Sequence, residues 1–323
     1  MPAPVEDKTT VSHIAKSIPP VRDRLQSRIL VWTVMPVLIL LGVGRTIGMS
    51  IHVPYLRPYI EETAGVSLCF GLLAWGSRAA TVAAAASGSI ICLSLLYLTN
   101  AFAAPIKHSA LLPLAALFAL TFVSTRAGRS RKAIAGLAES RKGRSTSQVV
   151  ANLGCAPLLG IPLTFVLIYP PWPGTNIRER SGVMAVTALA ALAEAAADTV
   201  SSEIGQAFGG RPFMLTTFRR VDPGTDGAIS LTGTLAGFAA ALIVAATGAP
   251  AMGMSTPECA IAFAAGVLGL FFDSLLGASV ERKGWIGNDL VNFLSTAFAF
   301  IASFIAMRLF STNLRLWLAI THH

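Results

Sequence analysis

Long uncharged stretches, separated by short segments that hold nearly all the charges, are the feature that most constrains the fold of this chain. Only 13% of its 323 residues are charged, whereas soluble domains carry about 25%. Several stretches reach the roughly 18–20 residues with which an α-helix crosses the hydrocarbon core of a bilayer. They predict an all-α polytopic integral membrane protein. The stretches are 29–44, 63–77, 79–106, 108–125, 145–177, 227–257 and 290–307.

Eight or nine membrane-spanning helices follow from these stretches, the number depending on 64–77, which is short for a span. The membrane domain is predicted to occupy 29–310. It is preceded by a disordered cytoplasmic tail, 1–28, and followed by a C-terminal tail, 311–323. The predicted spans are 29–48, 64–77, 79–99, 108–126, 148–169, 181–202, 228–248, 259–280 and 289–309.

Lys and Arg residues in the short loops predict which loops face the cytoplasm. The segment 126–144 contains many basic residues and a single acid, Glu139. Counting spans from it places 203–226 and 281–289 on the same side, and both also contain basic residues. The protein is therefore expected to be multi-pass, in the plasma membrane if the organism is bacterial. The net charge of +9 is explained by topology and attraction to lipid headgroups, so nucleic-acid binding is not expected.

Carboxylates fall at the ends of four predicted spans, all on the predicted cytoplasmic side. Asp273 is the most informative, because it lies about two turns inside the eighth span. An acid at the centre of a span costs about 2.5–3.5 kcal/mol on insertion scales and usually faces a polar interior. The candidate site residues are Asp198, Glu203, Asp226, Asp273 and Asp289, with Asn292 one turn after the last.

Three of these acids, Asp226, Asp289 and Glu203, also have a simple structural interpretation, and for Asp273 that interpretation is weaker. Asp226 and Asp289 are residue types that cap helix N-termini. Glu203 is explained equally well as a solvated loop residue. Glu194, one turn before Asp198, is most simply a hydrogen-bonding partner. These alternatives remain open from the sequence alone.

Basic residues precede two of the acidic helix starts and are candidates for binding phosphate. Arginine forks match phosphate oxygens, and the amides at a helix N-terminus can receive the same group. The alternative is that these residues, like the basic loop 126–144, only set the topology, although that loop could also hold an anionic substrate. The candidates are Arg219, Arg220, Gly224, Thr225, Arg282 and Lys283.

The C-terminal half contains a weak internal sequence similarity. The sixth and eighth spans are each followed by a basic loop, an Asp and a helix rich in small or polar residues. The two helix starts read DGAISLTGT from Asp226 and DLVNFLST from Asp289. A parallel repeat with a site between its halves is a further hypothesis.

Carboxylates and an amide at a membrane surface suit Mg²⁺, which binds one or two carboxylates together with substrate phosphates and water. Nearby arginines suit the phosphates, so the set favours phosphoryl or nucleotidyl transfer, and the membrane setting implies a lipid phosphate as substrate. The main alternative is an ion-coupled transporter, since intramembrane acids also mark ion pathways. A scaffold protein would leave Asp273 unexplained.

The order of several motifs also resembles a known family. AGLAESRKGRSTSQVVANLG, AALAEAAADTVSSEIG, RRVDPGTDGAISLTGT, FFDSLLGAS and NDLVNFLST are similar, in this order, to segments of the transmembrane protein 19-like family, also called domain of unknown function 92. The similarity covers about 65–310. Three positions depart from the family pattern. Val200 stands where Trp is expected, Ala228 where Gly is expected, and Glu194 where a small or weakly polar residue is expected.

The resemblance implies an isoprenyl-phosphate kinase, because known members include phytyl-phosphate kinases. Such an enzyme transfers a phosphoryl group from a nucleoside triphosphate, CTP being a favoured donor, to a prenyl monophosphate such as phytyl phosphate. Asp198, Asp273 and Asp289 are then the expected catalytic residues. The expected Mg²⁺ ligands are Asp198, Glu203, Asp226, Asp273, Asp289 and Asn292, all of which match the family pattern.

Overall fold

The computed structural model describes residues 18–100, 105–138, 142–160 and 177–321, and this part is almost entirely helical. A two-stranded antiparallel hairpin pairs β1 (Phe213–Met214) with β2 (Ala228–Ile229). The helices are α1 (Pro20–His52), α2 (Arg57–Gly76), α3 (Val82–Thr99), α4 (Leu111–Arg126), α5 (Arg129–Ile134), α6 (Thr146–Leu153), α7 (Cys155–Leu159), α8 (Ile177–Phe208), α9 (Leu231–Ala251), α10 (Thr256–Leu276) and α11 (Asn288–Thr321).

The all-α polytopic membrane architecture predicted from the sequence is confirmed. Within the described residues, six helices are long and apolar enough to cross a membrane, and α4 is a shorter apolar helix. The predicted number of eight or nine spans is not confirmed. The six are Pro20–His52, Val82–Thr99, Gly182–Phe208, Leu231–Ala251, Thr256–Glu281 and Asn288–Phe310.

The predicted span 148–169 differs most from the structure. Its described part forms two short helices, α6 and α7, with Gly154 between them, and its end lies outside the described residues. Pro157 lacks the amide hydrogen that would bond to the Leu153 carbonyl in a continuous helix. Gly154 also packs closely, since a Cβ there would lie 3.1 Å from a methyl group of Val34 on α1.

The boundary predicted between the disordered tail 1–28 and the membrane domain falls inside α1. This helix begins at Pro20, so 20–28 are helical, while 1–17 lie outside the described residues. Arg22 Nη1 donates to the Gly284 carbonyl at 2.9 Å, and Gln26 Nε2 donates to the Trp285 carbonyl at 2.8 Å. These partners are far away in sequence, which is why local composition did not reveal the order. At the other end, α11 continues to Thr321, past the predicted boundary at 310.

Helix α8 occupies the centre of the bundle and explains its run of alanines. In an apolar 18-residue window of this helix 94% of the residues are buried, against 33% in the corresponding window of α10 and 39% in that of α9. Neighbouring glycines allow close approach: a Cβ at Gly237 would lie 2.9 Å from the Ala197 carbonyl oxygen, and one at Gly266 would lie 2.9 Å from Ala193 Cβ. Small residues at such contacts let membrane helices pack by van der Waals attraction. Glu194, on this helix, is therefore enclosed by other helices.

Candidate functional site

A polar cleft of about 350 Å³ opens at one end of the bundle, between α6, α8, α10 and α11. The connections before α6, between α8 and α9, and between α10 and α11 contribute to its walls. It brings together seven residues that the sequence had singled out. They are Asp198, Glu203, Gly224, Thr225, Asp226, Asp273 and Asn292.

The cleft also joins the loops predicted to share one side of the membrane. Leu137 and Arg144 come from the segment 126–144, Thr225 from 203–226, and Glu281 from 281–289. These loops therefore meet at one end of the molecule. That this end faces the cytoplasm remains a prediction.

Three carboxylates interact at the inner end of the cleft. Asp198 acts electrostatically on both Glu194 and Asp273, and Glu194 also acts on Asp273. Asp273 Oδ2 is buried and lacks a hydrogen-bond partner among the described residues. Burying an ionised carboxylate without a partner costs several kcal/mol, so such groups are neutralised by protons or cations. The cluster is therefore built to receive a cation or protons.

Glu194 is not the hydrogen-bonding partner that its spacing from Asp198 predicted. It is 1% exposed, and both carboxylate oxygens are buried without a hydrogen-bond partner in the part of the chain that the structure describes. The nearby Ser295 hydroxyl donates instead to the Asn292 carbonyl, at 3.0 Å. Gly269 makes room for the side chain, because a Cβ there would lie 2.5 Å from Glu194 Cγ. Sequence spacing identified the shared helix face but not that the Ser295 hydroxyl on α11 donates to its own helix backbone.

Glu203 lines the cleft, but its carboxylate is already paired. Lys132 Nζ donates to Glu203 Oε2 and also to the carbonyls of Ser124 and Thr125, at 3.3 and 3.0 Å. The Lys132 side chain is 0% exposed. This pair fastens α5 to α8 and reduces the charge that Glu203 can offer to a metal ion. The lysine was hidden in the sequence among the other basic residues of its loop.

Asp289 is not among the residues that line the cleft, although it was predicted to be catalytic. Its Oδ2 accepts a hydrogen bond of 2.6 Å from Ser27 Oγ on α1. Residues three apart differ by about 60° around a helix, so Asn292 faces the cleft while Asp289 faces α1. Asn288, four residues before Asn292, lines the cleft.

Asp226 is held by a turn and does not cap α9 as its residue type suggested. The N-cap is Ser230, whose hydroxyl accepts from the Gly233 amide at 3.1 Å. The amides near Gly224 and Thr225 therefore belong to a turn and not to a helix N-terminus. Gly227 has a φ of 73°, and a Cβ there would lie 2.0 Å from the Ala278 amide nitrogen. This contact holds Asp226 at the rim of the cleft, beside the end of α10.

The four basic side chains predicted to bind phosphate do not line the cleft. All four are exposed. The Arg220 guanidinium donates to the Arg211 carbonyl at 3.2 Å, and Lys283 Nζ lies 5.1 Å from the centre of the Trp285 ring. Their places in the sequence, just before acidic helix starts, did not reveal that the loops turn them outward. The four are Arg219, Arg220, Arg282 and Lys283.

Arg144, from the basic loop, is the arginine that lines the cleft. Its charge acts on Asp198. Its backbone is fixed on both sides, because its amide donates to the Ala79 carbonyl at 2.9 Å and its carbonyl accepts from the Thr81 amide at 3.1 Å. Gly143 permits this contact: its φ is 80°, and a Cβ would lie 2.8 Å from backbone atoms of 78–80. The Lys-Gly-Arg sequence at 142–144 was the signal in the sequence that could have indicated this position of Arg144.

The donor set fits a magnesium ion that is completed by substrate. Within the described residues, no group of three or more His, Cys, Asp or Glu side chains is arranged to hold a metal ion. Magnesium usually needs only one or two protein carboxylates, with phosphate oxygens and water as its other ligands. Asp198 and Asp273 supply two carboxylates and Asn292 supplies an amide oxygen, and Asp273 Oδ2 accepts no hydrogen bond from the part of the chain that the structure describes.

The fold and the cleft define a polytopic helical membrane protein with an acidic site at one end of its bundle. Residues 65–300 match the family described as Integral membrane protein DUF92, and the chain belongs to this family. It is 31% identical over 202 residues to "Protein VTE6, chloroplastic" of Arabidopsis thaliana, covering 62% of this chain and 59% of that protein. The aligned region thus spans less than two thirds of that relative.

Two further relatives are aligned over slightly more than two thirds of their own length. The chain is 32% identical over 190 residues to "Uncharacterized membrane protein sll0875" of Synechocystis sp., covering 58% of this chain and 69% of that protein. It is 27% identical over 207 residues to "Protein PGR" of Arabidopsis thaliana, covering 59% and 70%. No solved structure matches the chain significantly.

Proposed function

We propose that this protein is an integral membrane isoprenyl-phosphate kinase. It transfers a phosphoryl group from a nucleoside triphosphate, CTP being the first candidate, to a prenyl monophosphate such as phytyl phosphate. The observation that carries the proposal is the buried Asp273 Oδ2 atom, which has no hydrogen-bond partner among the described residues. It lies beside Asp198 in a cleft that Arg144 also lines. The family resemblance supports the same activity, since known members include phytyl-phosphate kinases.

The residues of the cleft have two roles, which are to bind phosphate and to hold the cation that neutralises its charge. Arg144 binds a phosphate oxygen through its guanidinium, a contact that is stronger than one between neutral groups. Asp198, Asp273 and Asn292 hold Mg²⁺, which supplies neutralisation of the phosphate charges when bound. The turn containing Gly224 and Thr225 closes one wall and limits where the nucleotide can lie.

Phosphoryl transfer requires the two phosphates to be aligned more than it requires covalent chemistry from the protein. An oxygen of the prenyl monophosphate attacks the terminal phosphorus of the nucleotide. A new phosphorus–oxygen bond forms, and the bond from that phosphorus to the bridging oxygen breaks. The nucleoside diphosphate leaves with the bonding electron pair, and the prenyl diphosphate remains. The fixed backbone of Arg144 suits this positioning role.

The position of the acids favours an enzyme over an ion-coupled transporter. Transporter sites lie near the bilayer midplane, often beside broken helices. Here Asp273 lies past the middle of the span Thr256–Glu281, about two turns before that span ends, and loops supply much of the cleft wall. A head group at the membrane surface can reach this end while its chain stays in the bilayer.

The direct test is to incubate purified protein in detergent with phytyl or geranylgeranyl monophosphate and each of the four nucleoside triphosphates. Mass spectrometry should detect the prenyl diphosphate in amounts equal to the nucleoside diphosphate formed. The Asp273→Asn protein serves as the matched negative control. Folded wild-type protein that forms no diphosphate with any of these pairs would overturn the proposal.

A further inference from the structure

A second cavity, of about 450 Å³, lies beside the cleft and is enclosed by α2, α3, α4 and α6. Its inner walls are apolar. The rings of Phe70 and Phe118 meet edge to face with centroids 5.5 Å apart, and the Phe118 and Phe122 rings are stacked at 5.9 Å. Small residues such as Gly88 line the opposite wall. The cavity is therefore an apolar groove with one aromatic side.

The mouth of this groove is cationic. Arg78, Arg126, Arg129 and Arg144 line it, and none of the described residues lining the groove is Asp or Glu. The Arg126 guanidinium lies 3.5 Å from the centre of the Phe122 ring and donates to the Ser77 carbonyl at 2.9 Å. On α4, Arg126 is eight residues from Phe118, which is about 12 Å along the helix. The groove thus runs about two turns inward from its charged mouth.

The groove and the acidic cleft meet at two residues. Arg144 and Asn152 line both cavities. Arg144 acts on Asp198 across the cleft, and the Asn152 side chain contacts Asn292, whose Nδ2 donates to Asn152 Oδ1 at 3.4 Å. An anionic group at Arg144 would therefore stand between an apolar channel and the acidic cluster.

We infer that this groove binds the hydrocarbon chain of a single-chain isoprenyl monophosphate and that Arg144, at the junction, receives its phosphate. The inference rests on the proposed function for the identity of the reaction, but the site itself is argued from charge complementarity. Cationic groups at the mouth match an anionic head, and the aromatic wall matches an unsaturated, methyl-branched chain. One channel accepts one chain, whereas a diacyl phospholipid would leave its second chain outside.

A leucine placed at Gly88 should shorten the groove without disturbing the fold. A Cβ at Gly88 would have one neighbour within 4 Å, a Val149 methyl group at 3.9 Å, so the added side chain points into open space. Gly88→Leu should raise KM for geranylgeranyl monophosphate by about tenfold or more, because buried methylenes lose their contacts. KM for the much shorter dimethylallyl monophosphate should change little.

Gly65→Leu is the matched control, since a Cβ at Gly65 meets nothing within 4 Å and the residue does not line the groove. It should leave the chain-length profile unchanged. The inference would be overturned if Gly88→Leu raised KM equally for geranylgeranyl and dimethylallyl monophosphate. It would also be overturned if Gly65→Leu raised KM for geranylgeranyl monophosphate as much as Gly88→Leu does. Either result would leave the kinase proposal intact.

Photolabelling separates failure of the groove from failure of the kinase. A geranyl monophosphate analogue with a terminal diazirine should label residues 70–74, 84–88 or 118–122 in the wild-type protein, whether or not turnover occurs. Geranylgeranyl monophosphate should suppress the labelling, and geranylgeraniol and inorganic phosphate should each do so far less. Labelling confined to other segments would overturn the inference. Suppression by phosphatidylglycerol equal to that by the prenyl phosphate would also overturn it, since the groove would then hold a bilayer lipid.

Discussion

Asp273 is the residue whose surroundings most strongly indicate a functional role. Its Oδ2 atom is buried without a donor, next to Asp198 and Glu194, and no described basic side chain pairs with it. A carboxylate in this position destabilises the folded protein unless a cation or proton accompanies it. Proteins keep such groups at functional sites, where the binding of a ligand offsets their cost.

Replacing Asp273 with Asn should therefore separate stability from activity. We expect the melting temperature of Asp273→Asn in detergent to be unchanged or higher, because an amide costs less to bury than a carboxylate. Phosphoryl transfer should fall by about 100-fold or more, since even groups that only support metal ligands cost about 10–100-fold when changed. Asp222→Asn, at an exposed position outside the cleft lining, is the control. A fully active Asp273→Asn protein would remove the carboxylate from the mechanism.

Arg144 should matter more than the arginines that the sequence emphasised. Arg144→Gln removes a charged donor to phosphate, which is worth about 1.5–3 kcal/mol, or roughly 10–100-fold in kcat/KM. The double variant Arg219→Ala, Arg220→Ala should lose much less, since both side chains are exposed and outside the cleft lining. Steady-state kinetics with a prenyl monophosphate and CTP compares them. If the double variant lost more kcat/KM than Arg144→Gln, phosphate binding would instead be assigned to the loop between β1 and β2.

At the scale of structural elements, the cleft depends on short connections pressed against helix ends. The turn at Asp226–Gly227 lies on the π-helical segment Gly277–Glu281, which follows α10. Such segments interrupt the regular hydrogen-bond ladder and are frequent at functional sites. Helix α5 is likewise fastened to α8 through the buried Lys132–Glu203 pair. These contacts fix loops that their own sequences would leave mobile.

Gly227→Ala should displace Asp226 from the cleft. The residue has a φ of 73°, and its Cβ would lie 2.0 Å from a backbone nitrogen of Ala278, so both strain and collision oppose the change. Gly253→Ala is matched in strain, with a φ of 66°, but has nothing within 4 Å. We expect Gly253→Ala to cost about 1 kcal/mol through strain alone. Gly227→Ala should cost more and also reduce transfer. Equal melting temperatures and equal activities would contradict the packing argument.

Breaking the Lys132–Glu203 pair should destabilise the protein more than removing both charges. Lys132→Met leaves Glu203 without its cation, and losing one partner of a buried pair costs about 3–5 kcal/mol. Because the Glu203 side chain is 14% exposed, the lower end is expected. Adding Glu203→Gln should recover much of the loss. A double-mutant cycle compares the melting temperatures of the wild type, both single variants and the double variant. If the effects of the two substitutions simply add, the pair does not couple α5 to α8.

At the scale of the whole molecule, the contacts between distant segments define one common end. The start of α1 binds the segment 284–287, and residues from three loops line the cleft. Helices α8 and α10 both end there, while α9 and α11 both begin there. The parallel repeat itself stays a prediction. The basic residues of these loops predict that this end faces the cytoplasm.

Cysteine labelling tests this orientation in a variant that lacks the four native cysteines. Cysteines at the exposed positions Ser130, Thr217 and Lys283 should react with a membrane-impermeant maleimide only from the cytoplasmic side. A cysteine at Thr256, the exposed first residue of α10, should react from the opposite side. Finding Ser130 and Lys283 on different sides would be incompatible with a shared cleft.

The sequence by itself determined the membrane class, the approximate position of most helices and the residue types of the site. These properties follow from local chemistry. A long apolar segment must form a helix in lipid, and an acid within a membrane span usually faces a polar interior and marks a functional site. Asp198, Asp226, Asp273 and Asn292 were recognised in this way. Charge counting also grouped the loops that meet at the cleft.

Only the tertiary structure decided which of those residues face one another. Asp289 and Asn292 are one turn apart, yet one contacts α1 and the other the cleft, because about 60° of helix rotation separates them. Lys132 neutralises Glu203, and Arg144 takes the position expected of Arg219 and Arg220. These outcomes depend on pairings across many residues, fixed by close backbone contacts at Gly143 and Gly227. Sequence spacing carries no direct signal for such contacts.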